Sequence, residues 1–317
     1  MTMNWLRRTA VLAACASAAL LTACGSSTVE SAVTPTRIVS FGDALSDVGQ
    51  TGVRYTINDG STNIWSQQFA ESYGRTLTAA SAGGKGYARG NARVVATPDA
   101  AGFANTLTLT KQIDAFLAAD AVGSNDMVVV NGGTSDVISQ MAAVTAGTQT
   151  AAQMVTNSTQ AGRDLGTQVR RLVNSGAKYV VVAGTYDLGR SPWATAINRV
   201  DLLSSASSAF NQAFLVSVVD LGANVLYIDA AYYFNLLVNS PGNYNLTNSV
   251  TPVCTSVDSG NSLGIGTGKV SSTLCNTSTL IASVDPLKYA FADSVYFTPV
   301  ANRLFGVYAY DRVRARW

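Results

Sequence analysis

The chain contains no histidine in 317 residues. Histidine is the usual general base near neutral pH and the commonest metal ligand in proteins, so its absence excludes a serine–histidine–aspartate triad and argues against a metal site. Charged residues are also scarce, at 13% of the sequence, and the formal net charge is only +2. Binding to nucleic acid needs a dense basic surface. We therefore expect no nucleic-acid partner, no metal and no cofactor.

Cysteine is sparse, and two of the four cysteines fall in an N-terminal segment that has the pattern of a secretory signal. Arg7 and Arg8 precede an apolar run that is too short to span a membrane. Leu-Thr-Ala-Cys follows at 21–24 and resembles the bacterial lipobox, in which the cysteine is acylated. We predict a signal peptide at 1–23, lipidation of Cys24, a flexible tether at 24–35 and a folded domain at 36–317. The alternative is an ordinary signal peptide with a chance cysteine.

The predicted compartment follows from the same cysteines. Gly25 stands where an aspartate would indicate retention in the inner membrane, so we expect a lipid anchor in the outer membrane, on its periplasmic or surface face. The two remaining cysteines, Cys254 and Cys275, would then lie in an oxidising environment. We predict that they form a disulfide.

Short apolar runs rich in β-branched residues alternate with longer segments of helical periodicity. The predicted strands are 37–41, 127–131, 179–183 and 224–228, and the predicted helices are 64–73, 107–119, 151–173, 194–221 and 299–310. Strands that alternate with helices form a parallel sheet with helices on both faces. The sequence therefore predicts an α/β fold, a three-layer α/β/α sandwich with a central parallel sheet of about five strands. Ligands bind such sheets beyond the carboxyl ends of the strands.

Four short blocks follow one another along the chain, and the first and third of them lie at the ends of predicted strands. They read Phe-Gly-Asp-Ala-Leu-Ser-Asp-Val-Gly at 41–49, Tyr-Ala-Arg-Gly-Asn-Ala-Arg at 87–93, Val-Asn-Gly-Gly-Thr-Ser-Asp at 130–136 and Phe-Ala-Asp-Ser-Val-Tyr-Phe-Thr-Pro at 291–299. Together they resemble the SGNH/GDSL esterases and lipases, and the resemblance covers nearly the whole of the predicted domain. It implies a central sheet in flavodoxin-like strand order and descent from an ester hydrolase.

The resemblance also assigns the family's catalytic positions, and three of them carry other residues. Ala44 stands at the nucleophilic serine, Ser135 at the oxyanion-hole asparagine and Tyr296 at the histidine. Only Asp293 is retained, with no imidazole to orient. We expect it to cap the helix that begins near residue 299 or to bond the Tyr296 hydroxyl. Because the triad acts as a unit, we predict no hydrolysis by the family's mechanism.

The blocks around these positions keep much of the framework of the cleft. Asp43 and Gly133 are retained, and Asp43 is expected to fix its loop through backbone hydrogen bonds. The oxyanion-hole glycine of the second block aligns with Asn91, although the adjacent Gly90 is an alternative. Asparagine tolerates left-handed backbone angles better than other non-glycine residues, so either alignment allows the loop to keep its shape.

Two hypotheses from different classes follow. The first is a catalytically inactive lipoprotein that binds an acyl chain, an acetylated glycan or a partner protein in the former esterase cleft. The second is a weak or unconventional carboxylic-ester hydrolase that uses Ser135, Asp293 or Tyr296 in a rearranged site. The two hypotheses differ in one observable property. Only the second predicts that the purified protein hydrolyses a simple ester.

Overall fold

The computed structural model describes residues 33–60 and 64–317. The predicted signal peptide, Cys24 and residues 25–32 of the predicted tether lie outside them. At the end of that tether, Val33 and Pro35 are buried, and the Pro35 carbonyl accepts a hydrogen bond from Arg75. No helix within the described ranges is long and apolar enough to cross a membrane.

The central sheet consists of four parallel strands in the order β1-β2-β3-β4. Their bounds are Arg37–Phe41 (β1), Asp126–Asn131 (β2), Tyr179–Ala183 (β3) and Val225–Ile228 (β4). Residues of β2 are buried on both faces, as expected of a strand covered by helices on each side. Short strands outside this sheet are Asn248–Pro252 (β5), Val257–Asp258 (β6), Lys269–Val270 (β7) and Tyr289–Phe291 (β8).

Helices cover both faces of the sheet. They are Trp65–Ser72 (α1), Leu109–Ala119 (α2), Thr134–Thr145 (α3), Ala151–Asn174 (α4), Pro192–Ala196 (α5), Val200–Ser217 (α6), Ala230–Asn239 (α7) and Pro299–Arg314 (α8). Alternate strand residues divide the core in two, because successive side chains of a strand point to opposite faces. Met127 and Val129 belong to one apolar cluster, with α1, α7 and α8, while Val128 and Val130 belong to the other, with α2 and α4.

The prediction of a three-layer α/β fold with a parallel central sheet is confirmed, with differences at the sheet edge and in the helices. The sheet has four strands where about five were expected, and β1 lies at its edge, whereas a flavodoxin-like order places the first strand inside. Beside β1 the chain makes only isolated bridges, Ser40 to Gly86 and Ala79 to Gly86. Three of the four positions at 83–86 are glycine, which weakens a strand.

The predicted helix at 194–221 was wrong as a single element. It is two helices, α5 and α6, separated at Asn198, whose φ of 53° is left-handed. Ser191 caps α5 by accepting from the Ala194 N–H, and Pro192 occupies its first position, an arrangement typical of a helix start. Helices α3 and α7 were not predicted, and both begin within three residues of a strand end.

Candidate functional site

The first edge of the site is the turn that follows β1. Asp43 begins a short 3₁₀ turn at Ala44–Ser46, where its carboxylate accepts the N–H of Leu45 at 3.1 Å and the N–H of Ser135 at 3.4 Å. The Asp43 N–H in turn donates to Oδ1 of Asn131 at 3.3 Å. Burial raises the pKa of Asp43 to about 6. This carboxylate therefore ties the ends of β1 and β2 together, and Ala44 beside it is buried.

The second edge is the start of α3, directly after β2. Gly133 has a φ of 109°, and a Cβ at this position would lie 2.6 Å from Cε1 of Phe210. Glycine is therefore required both by backbone conformation and by space. Ser135 follows in the first turn of α3, fully buried, and its hydroxyl has no hydrogen-bond partner among the described residues. Only its backbone N–H is used, by Asp43.

The third edge is the turn between β8 and α8. The Asp293 carboxylate accepts the N–H groups of Val295 and Tyr296, both at 2.7 Å, and the N–H of Ser272 at 2.9 Å. Both expectations for its side chain were wrong. Thr298 caps α8 through the Ala301 N–H, and the Tyr296 hydroxyl has no hydrogen-bond partner within the described part of the chain.

Tyr296 is a poor candidate for the base that its position requires. The side chain is fully buried, and that burial, followed by the nearby Asp43 carboxylate, raises the pKa of the phenol well above its usual range. A general base works best when its pKa lies near the working pH. Tyr296 instead packs as a ring, edge to face against Tyr55 with centroids 5.1 Å apart.

The second sequence block distinguishes the roles of Gly90 and Asn91. The Gly90 N–H donates to Asp47 at 2.7 Å, and a Cβ at Gly90 would lie only 2.0 Å from the Tyr55 hydroxyl. Asn91 holds the left-handed φ of 61°. Its side-chain amide donates to the Ser262 carbonyl at 2.7 Å and to the Tyr55 hydroxyl at 3.2 Å. The Gly90 N–H is thus already engaged, and Asn91 carries the left-handed turn.

A disulfide-closed loop lies against these turns. Cys254 and Cys275 are bonded across a separation of 21 residues. Within the loop, the Ser272 N–H donates to Asp293 and the Ser262 carbonyl accepts from Asn91. On its far side the Cys275 carbonyl accepts the N–H of Asn58 at 2.8 Å. The loop therefore joins the second and fourth sequence blocks and helps to enclose the residues between them.

Comparison with known proteins decides the family. The model of the GDSL-like lipase/acylhydrolase family matches residues 38–308. This chain belongs to that family. An uncharacterized protein in the trpE-trpG intergenic region of Pseudomonas putida is 26% identical over 159 residues, which are 50% of this chain and 25% of that protein. This chain thus matches only about a quarter of that relative's length.

Two solved crystal structures are also similar to this GDSL-family chain. The first has a TM-score of 0.49 at 11% identity and covers 90% of this chain and 98% of its own. The second has a TM-score of 0.40 at 16% identity and covers 62% of this chain and 84% of its own.

The four positions at which GDSL hydrolases carry their reacting groups are closed to solvent here. Ala44 is 1% exposed, and Ser135, Asp293 and Tyr296 are 0% exposed. Ala44 and Tyr296 belong to one continuous apolar cluster. A substrate carbonyl must reach both a nucleophile and an oxyanion hole. In this GDSL-family protein these four side chains are buried in the interior of the domain.

An open cleft of about 430 Å³ lies beside the buried centre. Of the predicted cleft residues, Gly90 lines it, whereas Asp43 and Gly133 do not. Asn91, which aligns with the oxyanion-hole glycine, also lines it. Sequence reasoning missed the other important lining residues, which are Tyr55, Asp99, Phe103, Asn105 and Thr106. They lie in segments without periodicity, so the available signal was confined to the quoted blocks: the first contains the lining residue Asp47 and the second contains Arg89. Among the described residues no group of three or more acidic or cysteine side chains could hold a metal ion.

Proposed function

We propose that this GDSL-family chain is a catalytically inactive outer-membrane lipoprotein that binds a ligand or partner through the cleft beside the former catalytic centre. The observation that carries the proposal is the burial of Ala44, Ser135 and Tyr296, none of which lines the cleft. A chain with no histidine has no ordinary base for a serine nucleophile, and here it has no accessible nucleophile at that position either.

The alternative is a carboxylic-ester hydrolase with a rearranged site, and the geometry favours it less. Ser135 would need a base, but its hydroxyl has no hydrogen-bond partner among the described residues. Tyr296 would need a depressed pKa, and burial raises it. Asp293 is occupied by three backbone N–H groups. Each residue of the alternative would have to leave its present environment before it could meet a substrate.

The test is hydrolysis of p-nitrophenyl acetate and butyrate by the chain from Gly25 onward, purified with a tag that contains no histidine. A polyhistidine tag would add the missing imidazoles, and imidazole itself hydrolyses activated esters. We expect the same rate for the wild type, for Ser135→Ala and for Tyr296→Phe, equal to that of an unrelated protein purified identically. Turnover that follows the protein peak and falls in either variant would establish the rearranged hydrolase and overturn the proposal.

Membrane attachment has its own test. Acylation of Cys24 places the domain at a membrane although no described helix could cross one. Labelling with radioactive palmitate in cells, lost in Cys24→Ala, is the expected result. Release of unlabelled wild-type protein into the soluble fraction would support the ordinary signal peptide instead.

A further inference from the structure

The N-terminal segment enters the folded domain at the edge of the sheet where the four parallel strands begin. The Thr36 N–H donates to the Asn125 carbonyl at 3.0 Å, and the Asn125 side-chain amide donates to the Thr34 carbonyl at 2.6 Å. Arg75 donates to the Pro35 carbonyl at 2.9 Å. Because β1 begins directly after Thr36 and β2 directly after Asn125, these bonds fix the entry at the amino ends of the strands.

Several segments form the surface around this entry, which we call the amino edge. It comprises the residues that lead into the four strands and the ends of α1 and α8, at 33–36, 71–76, 120–125, 175–178, 215–224 and 311–317. The end of α8 belongs to it because Arg316 donates to the Gly222 carbonyl at 2.7 Å. The Trp317 ring also packs against the Tyr179 ring at the start of β3, with centroids 5.2 Å apart.

The cleft of about 430 Å³ lies at the opposite edge of the sheet. Its lining residues Asp47 and Gly90 belong to turns that follow the carboxyl end of β1, where the Arg89 N–H donates to the Gly42 carbonyl at 3.1 Å. The N-terminal segment precedes the amino end of the same strand. The entry of that segment and the cleft therefore lie at opposite ends of β1.

The predicted tether is short compared with the domain that it would hold. Eight residues, 25–32, separate Cys24 from Val33, and a fully extended chain of this length spans about 30 Å. A globular domain of this size has a radius of gyration of about 19 Å and is therefore about 50 Å across. An acyl group on Cys24 would thus keep the amino edge nearer to the bilayer than the cleft.

Exposed charge on the amino edge is biased toward positive. The exposed basic residues are Arg75, Lys178, Arg312 and Arg316, and the exposed acidic residues are Glu71, Asp220 and Asp311. Asp220 is paired with Arg170 at 2.7 Å. The half-buried Asp120 is paired with Arg37 and Lys85, each at 2.6 Å. Apart from these pairs, four exposed basic residues stand against two exposed acidic residues, which favours an anionic partner.

The amino edge also carries exposed apolar side chains. Val219 is 80% exposed and Val216 is 75% exposed, and no other large apolar residue in the described part of the chain is exposed to this extent. They lie at the end of α6 and in the turn that follows it, on the loop whose Gly222 carbonyl binds Arg316. Apolar side chains beside basic ones are typical of surfaces that bind at the headgroup level of a bilayer.

We propose that the amino edge docks against a bilayer of anionic phospholipid, with Lys178 and Arg312 at the headgroups and Val216 and Val219 at the interface. This inference rests on the proposed acylation of Cys24 and deepens it, because it names the surface that the anchor holds against the membrane. A tethered domain has a high effective concentration at the membrane, so a weak contact suffices to orient it. The cleft then opens toward the aqueous phase.

The experiment measures the orientation of the acylated chain on vesicles of phosphatidylethanolamine and phosphatidylglycerol. A nitroxide label is attached to Val219→Cys or to Phe103→Cys, a matched control that is 62% exposed and lines the cleft. Cys254 and Cys275 are bonded to each other and do not take up the label. We expect the collision rate with an aqueous nickel complex to fall several-fold at position 219, relative to the unacylated chain from Gly25 onward, and to stay unchanged at position 103.

Charge reversal tests the choice of an anionic surface. Two cations near such a surface are worth about 1 kcal/mol each, so Lys178→Glu combined with Arg312→Glu should shift the docking equilibrium by at least about thirtyfold, corresponding to about 2 kcal/mol. The label at position 219 should then become accessible, while palmitate stays on Cys24. Arg199→Glu is the matched control, since Arg199 is exposed at the opposite end of α6, and it should leave the protection unchanged.

Three results with the acylated chain would overturn the inference and leave the membrane anchor intact. Equal accessibility of positions 219 and 103 would show that the domain has no preferred orientation. Protection at position 103 alone would place the cleft against the bilayer. Equal protection of position 219 on vesicles of phosphatidylcholine alone would exclude recognition of anionic headgroups. Absence of palmitate from Cys24 is a separate failure, because it would remove the proposed anchor and the inference together.

Discussion

The carboxylates and the hydroxyls of the former catalytic region differ sharply in how they are bonded. Asp43 and Asp293 are fully buried, and each accepts backbone N–H groups from two different segments of the chain. Ser135 and Tyr296 are equally buried, yet their hydroxyls have no hydrogen-bond partner within the described ranges. The carboxylates of Asp43 and Asp293 hold loops together through hydrogen bonds. The hydroxyls of Ser135 and Tyr296 form no hydrogen bond with the described loops around them.

This difference bears on how the fold would persist if the proposed loss of catalysis is correct. A carboxylate that satisfies three backbone N–H groups contributes to folding, because each buried donor left unpaired costs about 1–3 kcal/mol. Asp293 has this role whether or not an imidazole is nearby. Ala44 and Tyr296, which the resemblance aligns with the nucleophile and the base, are core side chains and hold no such loop.

Removal of the Asp293 carboxylate should produce the largest effect on stability. Asp293→Ala leaves the N–H groups of Ser272, Val295 and Tyr296 without their acceptor. We expect the free energy of unfolding to fall by about 3 kcal/mol or more, measured by urea denaturation.

The matched control is Asp285→Ala. Asp285 accepts the Leu287 N–H at 2.9 Å in a similar turn, but on an exposed loop, where water can replace the lost acceptor. We expect a loss below about 1 kcal/mol there. Equal losses in the two variants would show that burial does not distinguish these carboxylates.

The pH dependence of stability tests whether burying these carboxylates in their charged form lowers the free energy of unfolding. Burial raises the pKa of Asp136 to about 7, partly opposed by Arg93, and that of Asp43 to about 6. The folded chain therefore binds more protons than the unfolded chain between about pH 4 and pH 7, and the free energy of unfolding falls as pH rises through that window. We expect a loss of about 4 kcal/mol between pH 5 and pH 8, of which Asp136 supplies the larger part.

The Asp136→Asn variant tests whether Asp136 causes this fall in the free energy of unfolding with rising pH. The asparagine cannot titrate, so denaturation curves at the two pH values should lie closer together than those of wild type. A wild-type stability that rises with pH, or an Asp136→Asn variant with an unchanged slope, would contradict the assignment. The salt bridge from Arg93 to Asp136, at 3.7 Å, is lost in this variant, which lowers stability at both pH values but leaves the comparison of slopes intact.

Two buried tyrosines give the smallest and most selective test. The Tyr186 hydroxyl donates to the Val295 carbonyl at 2.7 Å, whereas the Tyr296 hydroxyl has no partner among the described residues. Tyr186→Phe should lower the free energy of unfolding by about 1 kcal/mol, and Tyr296→Phe should leave it unchanged or raise it slightly. Urea midpoints of the two variants, measured side by side, check this; a matching loss in Tyr296→Phe would reveal that its hydroxyl is bonded.

Much of the fold could be predicted from sequence because its signals are local. The strands β1 and β3 have the predicted bounds, since a run of five residues rich in apolar and β-branched side chains suffices to identify a buried strand. The break between α5 and α6 was not predictable in this way. Apolar periodicity continues across Asn198, and the left-handed turn there depends on how the two helices pack.

In the candidate functional site, too, some features could be predicted from the sequence and others could not. The sequence by itself determined that the chain has no histidine, and residue identity decides which proton transfers are available. Only the tertiary structure decided that Ala44 and Tyr296 lie in the core and that Asn91 and Phe103 meet at an open cleft. Burial and hydrogen-bond partners arise from segments far apart in the chain, as when the loop closed by Cys254 and Cys275 reaches Asp293.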